Sequence, residues 1–272
     1  MTGLLLTLRE PPVFDLDCAA LNGQTLGGKT LTQVRRLKLS QGRRQRSLGD
    51  FFEVSGDTQT DELTFQGVTP QCHRLGAALA SGVLRLSGHC GIELGLRMRG
   101  GRLLLNGHAG HGVGLGMRGG HLEVSGNAGD FIGGPAPGDV AGMHNGTIII
   151  GRHAGARVGE RMRRGLIVVG GRTGPLCGAQ LIAGSIVLLG EYGPGLGSGM
   201  RRGSIVLAQK CQPPSATFNL AGDFDLAFMT LLVAHITTLK PRWRARLVGL
   251  SHVTRWIGDA GTGGMGEILI AH

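Results

Sequence analysis

Glycine recurs in this chain with a fixed period, and the period restricts the fold more than any other feature. With Gly82 as origin, repeats begin at Gly82, Gly101, Gly120, Gly146, Gly165, Gly184 and Gly203, a step of 19 residues taken five times and of 26 taken once. The long step carries a seven-residue insertion, residues 134–140 (GPAPGDV). The repeats share the pattern G-x-Φ-x-Φ-x-G-x-x-G-x-x-x-G-x-x-M-x-x, where Φ is aliphatic. A unit this short with three or more fixed glycines is not a helix pair, because each internal glycine weakens a helix by roughly 1 kcal/mol. It suits one turn of a β-solenoid.

Counting from the first glycine as zero, positions +2 and +4 alternate as a strand requires. They are Leu84/Leu86, Leu103/Leu105, Leu122/Val124, Ile148/Ile150, Ile167/Val169 and Ile186/Leu188. Position +16 is Met98, Met117, Met143, Met162, Leu181 and Met200, a further inward column of packing rather than ligation. The glycines at +6, +9 and +13 mark corners that need positive φ or have no room for a Cβ. The expectation is an all-β core: a right-handed parallel β-helix of about seven coils, with an irregular N-terminal segment and a C-terminal capping helix. Residues 1–62 form the N-terminal segment and cap, 63–212 the repeat array, and 213–272 a helix and tail packing on it. Within the tail, Asp223 to Leu239 has helix length, with Asp223 as a possible N-cap and Pro241 as the stop.

Composition narrows the function. The formal charge is +10, from 28 basic and 18 acidic residues. Only 11 aromatics are present and no known nucleic-acid-binding motif appears, so a nucleic-acid role is the weakest reading. The 14-residue apolar run ending at Leu239 is too short to span a bilayer, and residues 1–8 lack a basic flank and cleavage site. Five scattered cysteines, Cys18, Cys72, Cys90, Cys177 and Cys211, with no CxxC, suggest a reducing cytoplasm, in which the sequon at Asn145 is idle. Glycine-rich stretches such as 195–199 mimic phosphate loops, but each belongs to the repeat and leads into another strand. No G-x-S-x-G is present, and no catalytic residue is assigned.

His89, His108 and His153 share position +7, with Asn127, Arg172 and Glu191 completing the column. That variety reads as a solvated corner, and no metal site is assigned. Two outward columns matter more. Position +17 holds Arg99, Arg118, His144, Arg163, Ile182 and Arg201, flanked by Arg97 and Arg161 at +15 and by Arg164 and Arg202 at +18. This basic stripe suits an acidic surface or a polyanion. Position +3 changes from Arg85, Leu104 and Glu123 to Ile149, Val168, Val187 and Val206. Four stacked outward aliphatics call for a cover, either the chain's own C-terminal helix or another protein chain.

The register resembles the GXGXG domain of glutamate synthase and, more closely, the C subunit of formylmethanofuran dehydrogenase. The resemblance is carried by residues 142–165 (GMHNGTIIIGRHAGARVGERMRRG), the insertion before them, 48–54 (LGDFFEV), 258–261 (GDAG) and 266–269 (GEIL), and covers roughly residues 45–272. It implies a non-catalytic subunit that holds amidohydrolase-like and formyltransferase-like partners in register. One such assembly is the formyltransferase/hydrolase complex of methylotrophic bacteria, which moves a formyl group from tetrahydromethanopterin to a methanofuran-like carrier and hydrolyses it to formate. The other is the archaeal tungsten or molybdenum dehydrogenase. A preponderance of arginine over lysine, 24 to 4, suggests a GC-rich genome and favours the bacterial complex. The family's carriers have glutamate-rich tails, so the resemblance makes an acidic polyglutamate tail a second candidate for the stripe. No cofactor is expected on this chain alone. A freestanding glutamate synthase GXGXG subunit is the alternative.

Overall fold

The computed structural model describes residues 3–209 and 214–272; Cys211 and the 212/213 boundary lie outside the described residues. The chain is mostly β, built on one mixed sheet of 13 strands. In chain order these are β1 (Leu4–Leu8), β2 (Phe52–Ser55), β3 (Glu62–Val68), β4 (Val83–Gly88), β5 (Arg102–Asn106), β6 (His121–Val124) and β7 (Thr147–Ile150). There follow β8 (Leu166–Val169), β9 (Ser185–Leu188), β10 (Ser204–Leu207), β11 (Asn219–Asp225), β12 (His252–Gly258) and β13 (Gly266–Ala271). The spatial order is β11-β12-β13-β10-β9-β8-β7-β6-β5-β4-β3-β1-β2. From β1 through β3 to β10 and on to β13 every neighbour pair is parallel, while β11, β12 and β2 join antiparallel at the two margins.

The ladder keeps the glycine register. Leu84 stands beside Leu103, then Leu122, Ile148, Ile167, Ile186 and Ile205, and the column extends to Leu63 and Leu4 at one end and Ile268 at the other. All of these are buried, as are the +16 methionines. Two further inward columns lie outside the pattern read from the glycines. Position +12 (Leu94, Val113, Ile132, Val158, Cys177 and Leu196) is buried, and +8 (Cys90, Ala109, Ala128, Ala154, Thr173 and Tyr192) forms a second parallel ladder of single bridges. The aliphatic run at +12 is legible in the sequence; the small residues at +8 give little signal.

The corner glycines serve two different physical needs. At +13 the backbone is left-handed: Gly159 has φ 68, and a Cβ there would lie 2.4 Å from Ile186 Cδ1. At +9 the φ is ordinary and space is the constraint, since a Cβ on Gly174 would sit 2.7 Å from the Ala156 nitrogen one repeat away.

The C-terminal region departs from expectation. Asp223 lies in β11, not at a helix N-cap, and the helix α1 spans Ala227–Leu239. The start of the apolar run goes to sheet pairing with β12 because Asp223 and Asp225 face His272, Thr254 and His252 across the strands. The helix also does not close the end of the stack, where β13, β12 and β11 continue the sheet. Instead it lies along the flank, with Met229, Ile236, Trp243, Leu247 and Leu250 packed on Ile149, Val168, Val187 and Val206. Trp243 settles over Gly170, where a Cβ would approach its ring to 2.7 Å. At the far end Lys240 pairs with Glu123 of β6, with His121 on its other side. No helix among the described residues is long and apolar enough to cross a membrane.

Two outcomes follow. Gly174→Ala forces backbone atoms apart and should cost about 1–3 kcal/mol in a denaturant titration, whereas Gly23→Ala, with nothing within 4 Å of the new methyl, should cost less than about 1 kcal/mol. Burial alone would raise the Glu123 carboxyl, but hydrogen bonds from His121 and Lys240 and their charges hold it at about 2. Its folded value lies below its unfolded one, so its stabilisation is complete above the unfolded pKa and is lost as pH falls towards 2. Glu123→Gln should therefore be destabilised by roughly 3 kcal/mol at pH 7, a gap that narrows between pH 4.5 and 2. A gap that does not change with pH would show that the ion cluster is not its source.

Candidate interaction surface

The basic stripe is built by the backbone. At each repeat the +17 N–H donates to the +16 carbonyl of the preceding one: Arg118 to Met98, His144 to Met117, Arg163 to Met143 and Arg201 to Leu181, at 2.7–2.8 Å. Because +16 points inward and is buried, +17 must point out, and the ladder sets successive side chains about 4.8 Å apart. Arg99, Arg118, Arg163, Arg164, Arg201 and Arg202 are all exposed and form no ion pair among the described residues. Side by side and unneutralised, they repel one another through water.

In the repeat where the column is interrupted, Ile182 and Ala183 form the floor of an open groove of about 750 Å3. Its walls are Arg163 and Arg164 on one side and Arg201 and Arg202 on the other, with His144 completing the lining. The Nδ1 of His144 is buried and has no hydrogen-bond partner among the described residues. An unmade bond of this kind costs about 1–3 kcal/mol.

The +15 arginines are placed differently from the rest of the stripe. Arg97 turns to the insertion, bonding Asp139 and the Pro137 carbonyl at 3.0 Å each. Arg161 bonds Gln180 at 2.6 Å and lines a second groove with Val140 and Arg201. The seven-residue insertion is visible in the sequence, but its salt bridge to a repeat 42 positions earlier is not. Ile149, Val168, Val187 and Val206 are fully buried beneath the chain's own C-terminal region, so none of them is available to another protein chain.

The histidine column has a role that its sequence variety hides. His108 N–H donates to His89 Nδ1, Asn127 N–H to His108 Nδ1, His153 N–H to Asn127 Oδ1, and Arg172 N–H to His153 Nδ1, at 2.9–3.3 Å. Each side chain thus accepts the corner amide of the next repeat. A neutral imidazole has one acceptor nitrogen, so Nε2 carries the proton and offers no lone pair to a metal. No group of three or more metal-ligating side chains occurs among the described residues. The cysteines Cys18, Cys72, Cys90 and Cys177 are buried and free; a hydrogen bond from Cys18 holds the Cys72 thiol down at about 6, and burial pushes Cys177 up to about 12.

The corner ladder gives a direct test. His108→Ala leaves the Asn127 amide without its acceptor and should cost about 1 kcal/mol, or roughly 2–4 °C in thermal midpoint. His108→Asn, which can accept as Asn127 does, should recover most of it. Equal losses in both would remove the hydrogen bond as the cause.

Residues 69–221 match the GXGXG motif family. The chain superposes with a TM-score of 0.89 and 34% identity on a chain of the formyltransferase/hydrolase complex of Methylorubrum extorquens, solved with methylofuran, covering 98% of this chain and 99% of that one. It is 32% identical over 99 residues to the C subunit of tungsten-containing formylmethanofuran dehydrogenase 2 from Methanothermobacter thermautotrophicus, covering 35% of this chain and 37% of that protein. It is 35% identical over 79 residues to the C subunit of the Methylorubrum extorquens formyltransferase/hydrolase complex, covering 29% of each. These alignments span about a third of the curated relatives' length. From the glycine register, the parallel ladder that it produces and the end-to-end superposition, the chain belongs to the GXGXG family, within the group of formylmethanofuran dehydrogenase and formyltransferase/hydrolase C subunits.

Proposed function

We propose that this protein is the non-catalytic structural C subunit of a cytoplasmic formyltransferase/hydrolase complex. In that complex a formyl group moves from tetrahydromethanopterin to a methanofuran-like carrier and is hydrolysed to formate. The observation that carries the reading is the superposition over 98% of the chain, which includes the N-terminal strands and the C-terminal helix as well as the repeats. On this reading the repeats form a right-handed parallel β-helix of about seven coils, a rigid rod with its side chains packed inside. Its domains are the N-terminal segment and cap (1–62), the repeat array (63–212) and the C-terminal flank (213–272). The partners are amidohydrolase-like and formyltransferase-like subunits that carry the chemistry.

The stripe is then the contact for an acidic partner surface or for the carrier's polyglutamate tail. Arg99, Arg118, His144, Arg163, Arg164, Arg201 and Arg202 face out along one wall, and the four arginines of the groove flank an apolar floor suited to methylene spacers between carboxylates. A guanidinium fork binds a carboxylate in two places and tolerates dehydration better than an ammonium, which explains arginine rather than lysine. Arg97 and Arg161 buttress this wall through the insertion and Gln180.

Native co-purification should recover the amidohydrolase-like and formyltransferase-like subunits with this chain; a solitary, catalytically active chain would overturn the assignment. Charge reversal at Arg99, Arg118 and Arg163 should weaken retention of carrier or acidic partner at least ten-fold, about 1.4 kcal/mol, with the loss larger at low salt. Unchanged assembly and carrier content would remove the stripe from the mechanism.

A further inference from the structure

Away from the arginine wall, the insertion builds a second concavity. Pro135, Ala136 and Pro137 enclose, with Ile92, Leu115 and Phe131, an apolar pocket of about 410 Å3. Phe131 is 41% exposed and Ile92 42%, although both stand within the repeat array. Phe131 also sits at φ 62, in the left-handed region that a bulky side chain adopts only under constraint. Other repeats place Glu93, Gly112, Arg157, Leu176 and Gly195 at the same position, all left-handed, with φ between 58 and 78. The fold imposes this backbone at +11 of every complete repeat, and in this one it carries an aromatic ring that is left exposed.

The lining carries one carboxylate, on a chain whose net charge is strongly positive. Glu93 lines the pocket and makes no ion pair or side-chain hydrogen bond among the described residues. His111, which also lines the pocket, has Asp130 beside it at 3.3 Å. Arg157 stands 5.9 Å over the Phe131 ring, but its charge is answered by Glu160 at 2.9 Å. An exposed aromatic, an apolar hollow and an unanswered carboxylate together complement one kind of occupant: an apolar side chain next to a cation.

We infer that this pocket docks a segment of a partner subunit, seating an apolar side chain against Phe131, Ile92 and Leu115 while an adjacent lysine or arginine pairs with Glu93. The inference rests on the multi-subunit reading above, and the test separates the two. The full chain, tagged and co-expressed with its partner subunits, is compared with Phe131→Gly and Glu93→Arg. Both substitutions suit the local backbone, since glycine and arginine already occupy this position in other repeats. The thermal midpoint of the free chain should stay within about 2 °C, while recovery of at least one partner subunit falls about ten-fold or more in each variant. In the wild-type assembly, hydroxyl-radical labelling of Phe131 should drop relative to the free chain.

Wild-type recovery by both variants, with Phe131 labelled equally in free and assembled chains, would overturn the pocket's role and leave the assembly reading standing. A wild-type chain that recovers no partner would overturn both. A concentration-dependent dimer abolished by Phe131→Gly would overturn the partner-segment assignment in favour of a second copy, and a destabilised Phe131→Gly would leave Glu93→Arg and the labelling to decide.

Discussion

The structure depends on how closely one repeat can lie on the next. Parallel strands must approach to about 4.8 Å along the whole circuit, including the corners, where the chain has no pleat to carry side chains clear. At those corners a methyl group would meet the backbone of the preceding repeat: a Cβ on Gly110 would lie 3.0 Å from Gly91, and one on Gly193 2.7 Å from the Pro175 nitrogen. Glycine at +9 is therefore a packing requirement, and it is what allows the amides there to bond to the carbonyls one repeat back. Once the corners are closed, every other column is placed by translation. The inward aliphatics at +2 superpose from Leu4 to Ile268, and the outward arginines at +17 are presented at the same spacing.

Stacking has an electrostatic consequence. A repeat that places arginine outward once will place it outward again next door, and like charges about 5 Å apart are an unfavourable arrangement for an isolated chain. Where the fold can neutralise such charges it does so: Arg97 with Asp139 of the insertion, Arg157 with Glu160 and Lys240 with Glu123. The +17 and +18 arginines have no such partner among the described residues. This contrast, more than the net charge, supports the proposal that the wall meets carboxylates, whereas the +7 corner spends its side chains on the amides of the next repeat.

Translation also explains the C-terminal region. An outward column of Ile149, Val168, Val187 and Val206 is a continuous apolar strip that water disfavours. The chain returns over it as α1 and is pinned at one end by Lys240 on Glu123, where the strip ends because +3 has become charged. The switch in +3 from polar to aliphatic thus marks, in the sequence, how far the helix reaches. The helix start differs from expectation for a related reason: Asp223 looks like a cap in isolation, but its hydrogen bond to Thr254 belongs to a strand pair formed with residues some thirty positions later.

What the residues alone determined is what translation repeats: the 19-residue step, the +2, +4 and +16 columns, the outward stripe and the all-β core. These are legible because a period of local chemistry appears once per repeat and reinforces itself. Only tertiary structure decided the features that occur once. These are the extension of the sheet by β1, β11, β12 and β13, the choice of the chain's own helix to cover +3, the tie between Arg97 and the insertion, and the pocket that the insertion builds beside Phe131. The tertiary structure also revealed the amide-to-imidazole bonds, because His and Asn serve there as interchangeable acceptors and the column then runs on into Arg172 and Glu191. Contacts between distant segments leave no periodic trace in a single sequence, so the repeat could be read directly and its partners could not.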